Sequence, residues 1–247
     1  MNQFRHFRFF CILSVLLLIV GVCTPANEAV IQAKESKKKV IVIDAGHQRN
    51  GNSELEPIGP GASEQKPKVS TGTYGNASGL AEYQLNLKVA KMLKKALKKE
   101  GYQVIMVRTK HDVNLSNRER AEIANQAHAD VFIRIHANSS ADPSVSGTLT
   151  ISPTKNNPYC SEIYEDSYLL SKKIVYHVSK QTGFRNRGVW QTDTMSGINW
   201  CKVPVTILEM GFMSNPEEDL KLAGKEYQEK IVAGTVKGIK RYFKSMS

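Results

Sequence analysis

Val40-Ile41-Val42-Ile43-Asp44-Ala45-Gly46-His47 is the stretch that decides the fold. Four consecutive β-branched apolar residues leave no face for water. Such a run reads as a strand buried on both sides, the kind found in parallel sheets covered by helices on each face. Three more runs share the pattern: Val104 to Val107, Val131 to Ile135 and Val205 to Leu208. Gly147 to Ile151 and Val189 to Gln191 are weaker candidates.

Helical patterns lie between them. Leu85, Val89, Leu93 and Ala96 recur at helical spacing, six lysines between Lys88 and Lys99 fill the other faces, and Gly101 stops the run. Ser116 and Glu119 form a capping box ahead of Ile123, Ala124 and Ala127. Tyr168 to Gln181 reads as a third helix. Asn215-Pro216-Glu217-Glu218-Asp219 is a helix start with a capping Asn, Pro in the first turn and acids behind it. Val232, Val236, Ile239 and Phe243 give the last helix its stripe. Alternation of strands and helices predicts a single α/β domain over 39–247, its sheet mixed but mostly parallel, with helices on both faces.

The chain begins differently. Arg5 and Arg8 precede an uncharged apolar run, Phe9 to Val22, followed by small residues around Ala26. This is the pattern of a secretory signal, predicted over 1–29, with a lysine-rich linker over 30–38. Only an uncleaved leader would attach the protein to a membrane. Of the four cysteines, Cys11 and Cys23 fall in the leader, leaving Cys160 and Cys201, for which pairing and free thiols are equally open.

The net charge is +11, and +10 once Arg5, Arg8 and Glu28 leave with the signal. Such a surface favours an anionic partner. Export, together with the lack of a nucleic-acid-binding motif, argues against nucleic acid and for a cell-wall polymer. No P-loop, G-x-G-x-x-G or G-x-S-x-G pattern is present. Residues 48–78 show no periodicity and read as a long loop walling a cleft.

Ligands of open α/β sheets sit outside the carboxyl ends of the strands. The first strand ends at His47, the strand 131–135 at His136, and the strand 205–208 at Glu209. Glu82 joins them from the buried stripe of the first helix, three residues before Leu85, where a carboxylate needs a partner. Two neutral imidazoles and a carboxylate are a common ligand set for catalytic zinc, and a second carboxylate can serve as general base. Spacing alone leaves open whether Glu82 or Glu209 is the ligand. Taken singly, either histidine reads as a hydrogen-bonded structural residue, and Glu209 as a cap for the helix near Asn215. Trp190 and Trp200 could stack on sugar, and Arg185 and Arg187 could hold a peptide carboxylate.

These residues resemble the zinc-dependent N-acetylmuramoyl-L-alanine amidases of bacteria, the amidase-3 family, from about Lys39 to Tyr242. The resemblance rests on Val42 to His47, Glu82 with Asn86-Leu87, Arg108-Thr109, Arg120 with Ala124-Asn125, Ile135 to Asn138, and Leu208 to Asn215. It implies one zinc ion on His47, Glu82 and His136, with Glu209 as catalytic acid/base. The implied substrate is peptidoglycan, cut between N-acetylmuramic acid and L-alanine outside the membrane. Gln48-Arg49 replaces the family's usual Gly-Gly, Arg134 stands where Ser is common, and the loop before Glu82 is longer than usual. A zinc peptidase acting within the stem peptide and a non-catalytic wall-binding protein are the competing readings. Neither the physiological stage nor the need for an activating protein is written in the sequence.

Overall fold

A computed structural model describes residues 38–246. The predicted leader and all of the linker but Lys38 lie outside the described residues. The described residues group as one compact unit. Its centre is a six-stranded sheet of β1 (Val40–Ala45), β4 (Gln103–Met106), β5 (Val131–Asn138), β6 (Thr148–Ser152), β7 (Asn186–Gln191) and β8 (Val205–Phe212), in the order β4-β1-β5-β8-β6-β7. β4, β1, β5 and β8 run parallel, β6 pairs antiparallel with β8, and β7 runs parallel to β6. The sheet is mixed and mostly parallel, as the apolar runs predict.

β1, β4, β5 and β8 split their side chains between two cores. Ile41 and Ile43 face α1 (Glu82–Lys99), α3 (Tyr164–Thr182), α5 (Pro216–Ala223) and α6 (Lys225–Ser245), in a core holding Leu85, Leu93, Leu170, Ile174, Leu222 and Ile239. Val42, Phe132, Val205 and Ile207 face α2 (Asn117–Gln126) and the short α4 (Ser196–Asn199). Helices therefore cover both faces. The capping box of α2 forms, with Glu119 N donating to Ser116 Oγ at 3.1 Å and Ser116 N to Glu119 Oε2 at 2.7 Å. Asn215 caps α5, its Oδ1 accepting from Glu218 N at 3.0 Å, so Glu209 has no capping role there. α3 begins at Tyr164, one turn before the sequence pattern predicts.

The 48–78 segment is a correction. It contains an antiparallel hairpin, β2 (Asn52–Pro57) with β3 (Gln65–Val69). Its strands are short and mostly polar, with Pro57 opposite Gln65 and Pro67 opposite Leu55, so the usual apolar alternation is absent. Trp200 anchors the hairpin by donating from Nε1 to Pro57 O at 2.9 Å, under the Arg118 guanidinium 4.3 Å from its ring. That contact occupies Trp200 in packing. Cys160 and Cys201 are buried free thiols.

Candidate metal centre

Three elements converge beyond the carboxyl ends of β1 and β5. His47 follows β1, His136 lies within β5, and Glu82 opens α1. His47 Nε2 and His136 Nδ1 are 3.1 Å apart. Glu82 Oε2 lies 3.2 Å from the first, and Oε1 lies 3.2 Å from the second. Tetrahedral ligands held about 2.0–2.1 Å from one ion stand roughly 3.3 Å from each other, so the triangle has the dimensions of a shared cation site.

The backbone is bent to make this triangle. His47 takes a left-handed conformation at φ 56°, which costs a side-chain-bearing residue about 1–3 kcal/mol and persists only where neighbours enforce it. Here Arg120 Nη2 donates to His47 O at 3.2 Å, and His47 Nδ1 donates to Ser70 O at 2.9 Å. A carbonyl can only accept, so Nδ1 carries the proton and Nε2 offers its lone pair inward. Gly46 lets the ring of His136 lie directly on the backbone: a Cβ there would come within 2.2 Å of it. Gly72, at φ 83°, approaches the cluster from the other side, where a Cβ would sit 2.7 Å from Glu82 Oε2.

Glu82 is buried and accepts from Thr73 N at 3.0 Å, Asn86 Nδ2 at 3.1 Å and Ala137 N at 3.1 Å. Burial pushes its carboxyl up, but the adjoining imidazoles of His136 and His47 outweigh this and hold it well below the usual range. Burial drives the His136 imidazole down to about 4, against the opposing effect of its hydrogen bond to Glu82. Glu82 is therefore held as a carboxylate and His136 as a neutral imidazole, the protonation states that a divalent cation requires of them.

Glu209 sits on β8 directly across from His136 in register. Its Oε2 is buried without a hydrogen-bond partner, as is His136 Nε2. Burial, then the charge of Glu82, raises the Glu209 carboxyl to about 8, with Arg134 pulling the other way. A buried carboxylate without a donor is costly, so its environment favours either a proton or a nearby cation.

Beneath the centre lies a charged group that sequence reasoning missed. Asp44 pairs with Arg120 at 2.7 Å and Arg134 at 3.0 Å, all three buried. Burial raises the Asp44 carboxyl, but Arg120 and Arg134 together hold it far below its ordinary value. The available signal was a charged residue ending a strand with no exposed face. Arg108 adds a cradle, donating to Ala45 O, Gly46 O and Tyr83 O at 2.7, 3.0 and 2.8 Å. These guanidiniums tie down the carbonyls of the turn that presents His47.

Other candidates lie elsewhere. Trp190 is half exposed on the edge strand β7, and Arg187 is engaged with Ser146 O and the Phe212 ring.

Residues 41–241 match the family model described as N-acetylmuramoyl-L-alanine amidase (Amidase_3). YqiI of Bacillus subtilis, an uncharacterized protein, is 31% identical, the match covering 92% of this chain and 93% of YqiI. The N-acetylmuramoyl-L-alanine amidase LytC of Bacillus subtilis is 30% identical over 76% of this chain, a match spanning 35% of LytC. Among solved structures, the N-acetylmuramoyl-L-alanine amidase of Clostridium difficile 630 superposes with a TM-score of 0.70 at 26% identity, covering 86% of this chain and 100% of that one. The amidase Ami1 of Mycobacterium smegmatis shares the fold, with a TM-score of 0.76 at 20% identity, covering 84% of this chain and 97% of that one.

Proposed function

The chain belongs to the N-acetylmuramoyl-L-alanine amidase family, and from that premise we propose how its own residues carry out the reaction. The enzyme hydrolyses the amide joining N-acetylmuramic acid to L-alanine in peptidoglycan. His47 Nε2, His136 Nδ1 and a Glu82 carboxylate oxygen hold one zinc ion. The observation that carries this is the triangle of donor atoms at 3.1–3.2 Å, with the His47 tautomer set by Ser70.

Zinc bound there supplies Lewis acidity, polarising the scissile carbonyl and lowering the pKa of a water beside it. Glu209 is the acid/base. Its Oε2, unpartnered within the protein, takes a proton from the attacking water and returns it to the leaving nitrogen of L-alanine. A carboxyl raised toward neutrality by burial is suited to both transfers, because it holds and releases a proton with comparable ease. Ser70, Thr73 and Asn86 orient the ligands, and the Asp44, Arg120 and Arg134 group fixes the turn below them.

The place of action in this reading is the cell wall, outside the membrane, and the name of one relative, the probable cell wall amidase LytH of Staphylococcus epidermidis, supports it. Residues 1–29 supply the export signal in this reading, and 39–247 the catalytic domain. The test is digestion of purified peptidoglycan with and without chelator, followed by labelling of new amino ends. New L-alanine ends that vanish with chelator and return with zinc support the reading. New ends at other stem-peptide residues would assign a peptidase instead, and no new ends a non-catalytic wall binder.

A further inference from the structure

The net charge of the protein is not spread over its surface. Removing the four cations and two anions of residues 1–37 from the chain's +11 leaves +9 for the described residues. A groove of about 1320 Å³ between α1 and α6 is lined by nine cations and two anions. Both anions, Glu100 and Glu229, are already paired with the groove's own Lys240 and Lys225. Lys94 and Lys98 adjoin the groove on α1 and bring this side to +9. The remaining described residues, buried and exposed together and the metal centre among them, sum to zero in formal charge.

The cations form two facing rows. Lys88, Lys91, Lys95 and Lys99 recur every three or four residues along α1, a row about 16 Å long. Lys237, Lys240, Arg241 and Lys244 line the opposite wall on α6. Met92, Val232 and Val236 lie between them. Like charges brought this close repel one another, and no acidic residues are interleaved to relieve them beyond the two already paired. A thread-like polyanion entering between the rows relieves both walls together, whereas a flat bilayer meets only the rims. The apolar strip between the rows offers contact to the carbon units that join one anionic group to the next.

We propose that the α1–α6 groove is a docking site for a linear phosphodiester polyanion of the cell wall. α1 also carries Glu82 in its first turn, and Lys88 stands six residues on, about 9 Å along the axis. A polymer held in the groove therefore keeps the amidase centre against the wall in which its substrate lies. The proposal takes from the functional reading only that the protein works at the wall, and it requires neither zinc nor turnover.

The test measures binding of the purified protein in chelator, so that amidase activity plays no part. Cosedimentation is read with intact walls carrying phosphodiester polymer, with the same walls stripped of phosphodiesters by hydrofluoric acid, and with vesicles of one part phosphatidylglycerol to three parts phosphatidylcholine. The triple variant Lys91→Glu, Lys95→Glu, Lys237→Glu is compared with Lys155→Glu, Lys172→Glu, Lys202→Glu, an equal charge change at exposed lysines elsewhere. Circular dichroism confirms that both fold. Expected results are tenfold or greater loss of binding to intact walls for the groove variant, a twofold or smaller loss for the control, and weak binding of every form to stripped walls. Soluble poly(glycerol phosphate) should also displace the protein from walls. Equal losses in the two variants would overturn the proposal, as would undiminished binding to stripped walls. It is also overturned if the groove variant loses more affinity for vesicles than for walls, or if duplex DNA displaces the protein better than poly(glycerol phosphate) at equal phosphate.

Discussion

His47 Nε2 and His136 Nδ1 face each other at 3.1 Å, their rings crossed at 80°. Because His47 Nδ1 keeps its proton for Ser70 O, His47 Nε2 can only accept. In the metal-free protein the close approach of these two nitrogens therefore needs a proton on His136 Nδ1, shared toward His47 Nε2 and Glu82 Oε1. A divalent cation takes the place of that proton.

On the neutral His136 ring that proton passes to Nε2 when a cation takes Nδ1, so the tautomer change releases none on balance. Glu209, raised to about 8 by burial and the Glu82 charge, releases its proton when a cation offsets that charge. Calorimetric titration in buffers of different ionisation enthalpy should show up to one proton released per zinc at pH 7. Binding with no proton release would contradict the raised Glu209 carboxyl.

The close packing of Gly46 on His136 predicts that Gly46→Ala displaces the imidazole. Its methyl would lie 2.2 Å from the ring. Zinc affinity should fall at least tenfold, measured by competition with a chromogenic chelator. Overpacking should also cost about 1–3 kcal/mol in urea unfolding.

Replacing Glu209 by Gln should leave zinc affinity within a few-fold and lower turnover by several powers of ten. A second effect follows from linkage. The folded-state carboxyl is raised above its unfolded value, so its contribution to stability is full below about 4.5 and is lost as pH rises through about 8. Metal-free protein should therefore lose up to a few kcal/mol across this window, and Glu209→Gln should lose much less. Parallel melting curves of the two proteins against pH are the check.

The Asp44 pairs make the opposite prediction. This carboxyl is depressed, because Arg120 and Arg134 outweigh burial, so its stabilisation is present above about pH 4 and is lost as pH falls below it. Asp44→Asn leaves two buried guanidiniums without their anion and should cost about 3–5 kcal/mol at pH 7. A loss under 1 kcal/mol in urea unfolding would mean that the pairs are not the anchor described above.

Much of the fold could be read because its strands are unusually plain. Val40 to Ile43 is apolar on both faces and Val131 to Ile135 is so but for Arg134, and the capping residues Ser116 and Asn215 mark helix starts independently of packing. The hairpin of β2 and β3 was not legible, since neither strand has an apolar face and its anchor is a contact with Trp200, remote in sequence. The convergence of His47, His136 and Glu82 was readable because strand ends and a helix stripe fix where side chains gather. The groups that orient them were not: Ser70 O, Thr73 N and Ala137 N are main-chain atoms, which side-chain identity does not report. Arg134 illustrates the same limit. In sequence it is only a departure from a common Ser, whereas in the structure it shares Asp44 with Arg120 and moderates the charge around Glu209.

The central claim, that three side chains form one cation site, is tested most directly by equilibrium dialysis against zinc with metal counted per chain. One zinc per chain is predicted for the unchanged protein, and a loss of at least two orders of magnitude in affinity for His136→Ala and for Glu82→Ala, with both variants folded by circular dichroism. Retention of one tightly held zinc by either variant would place the metal elsewhere and remove the basis of the account.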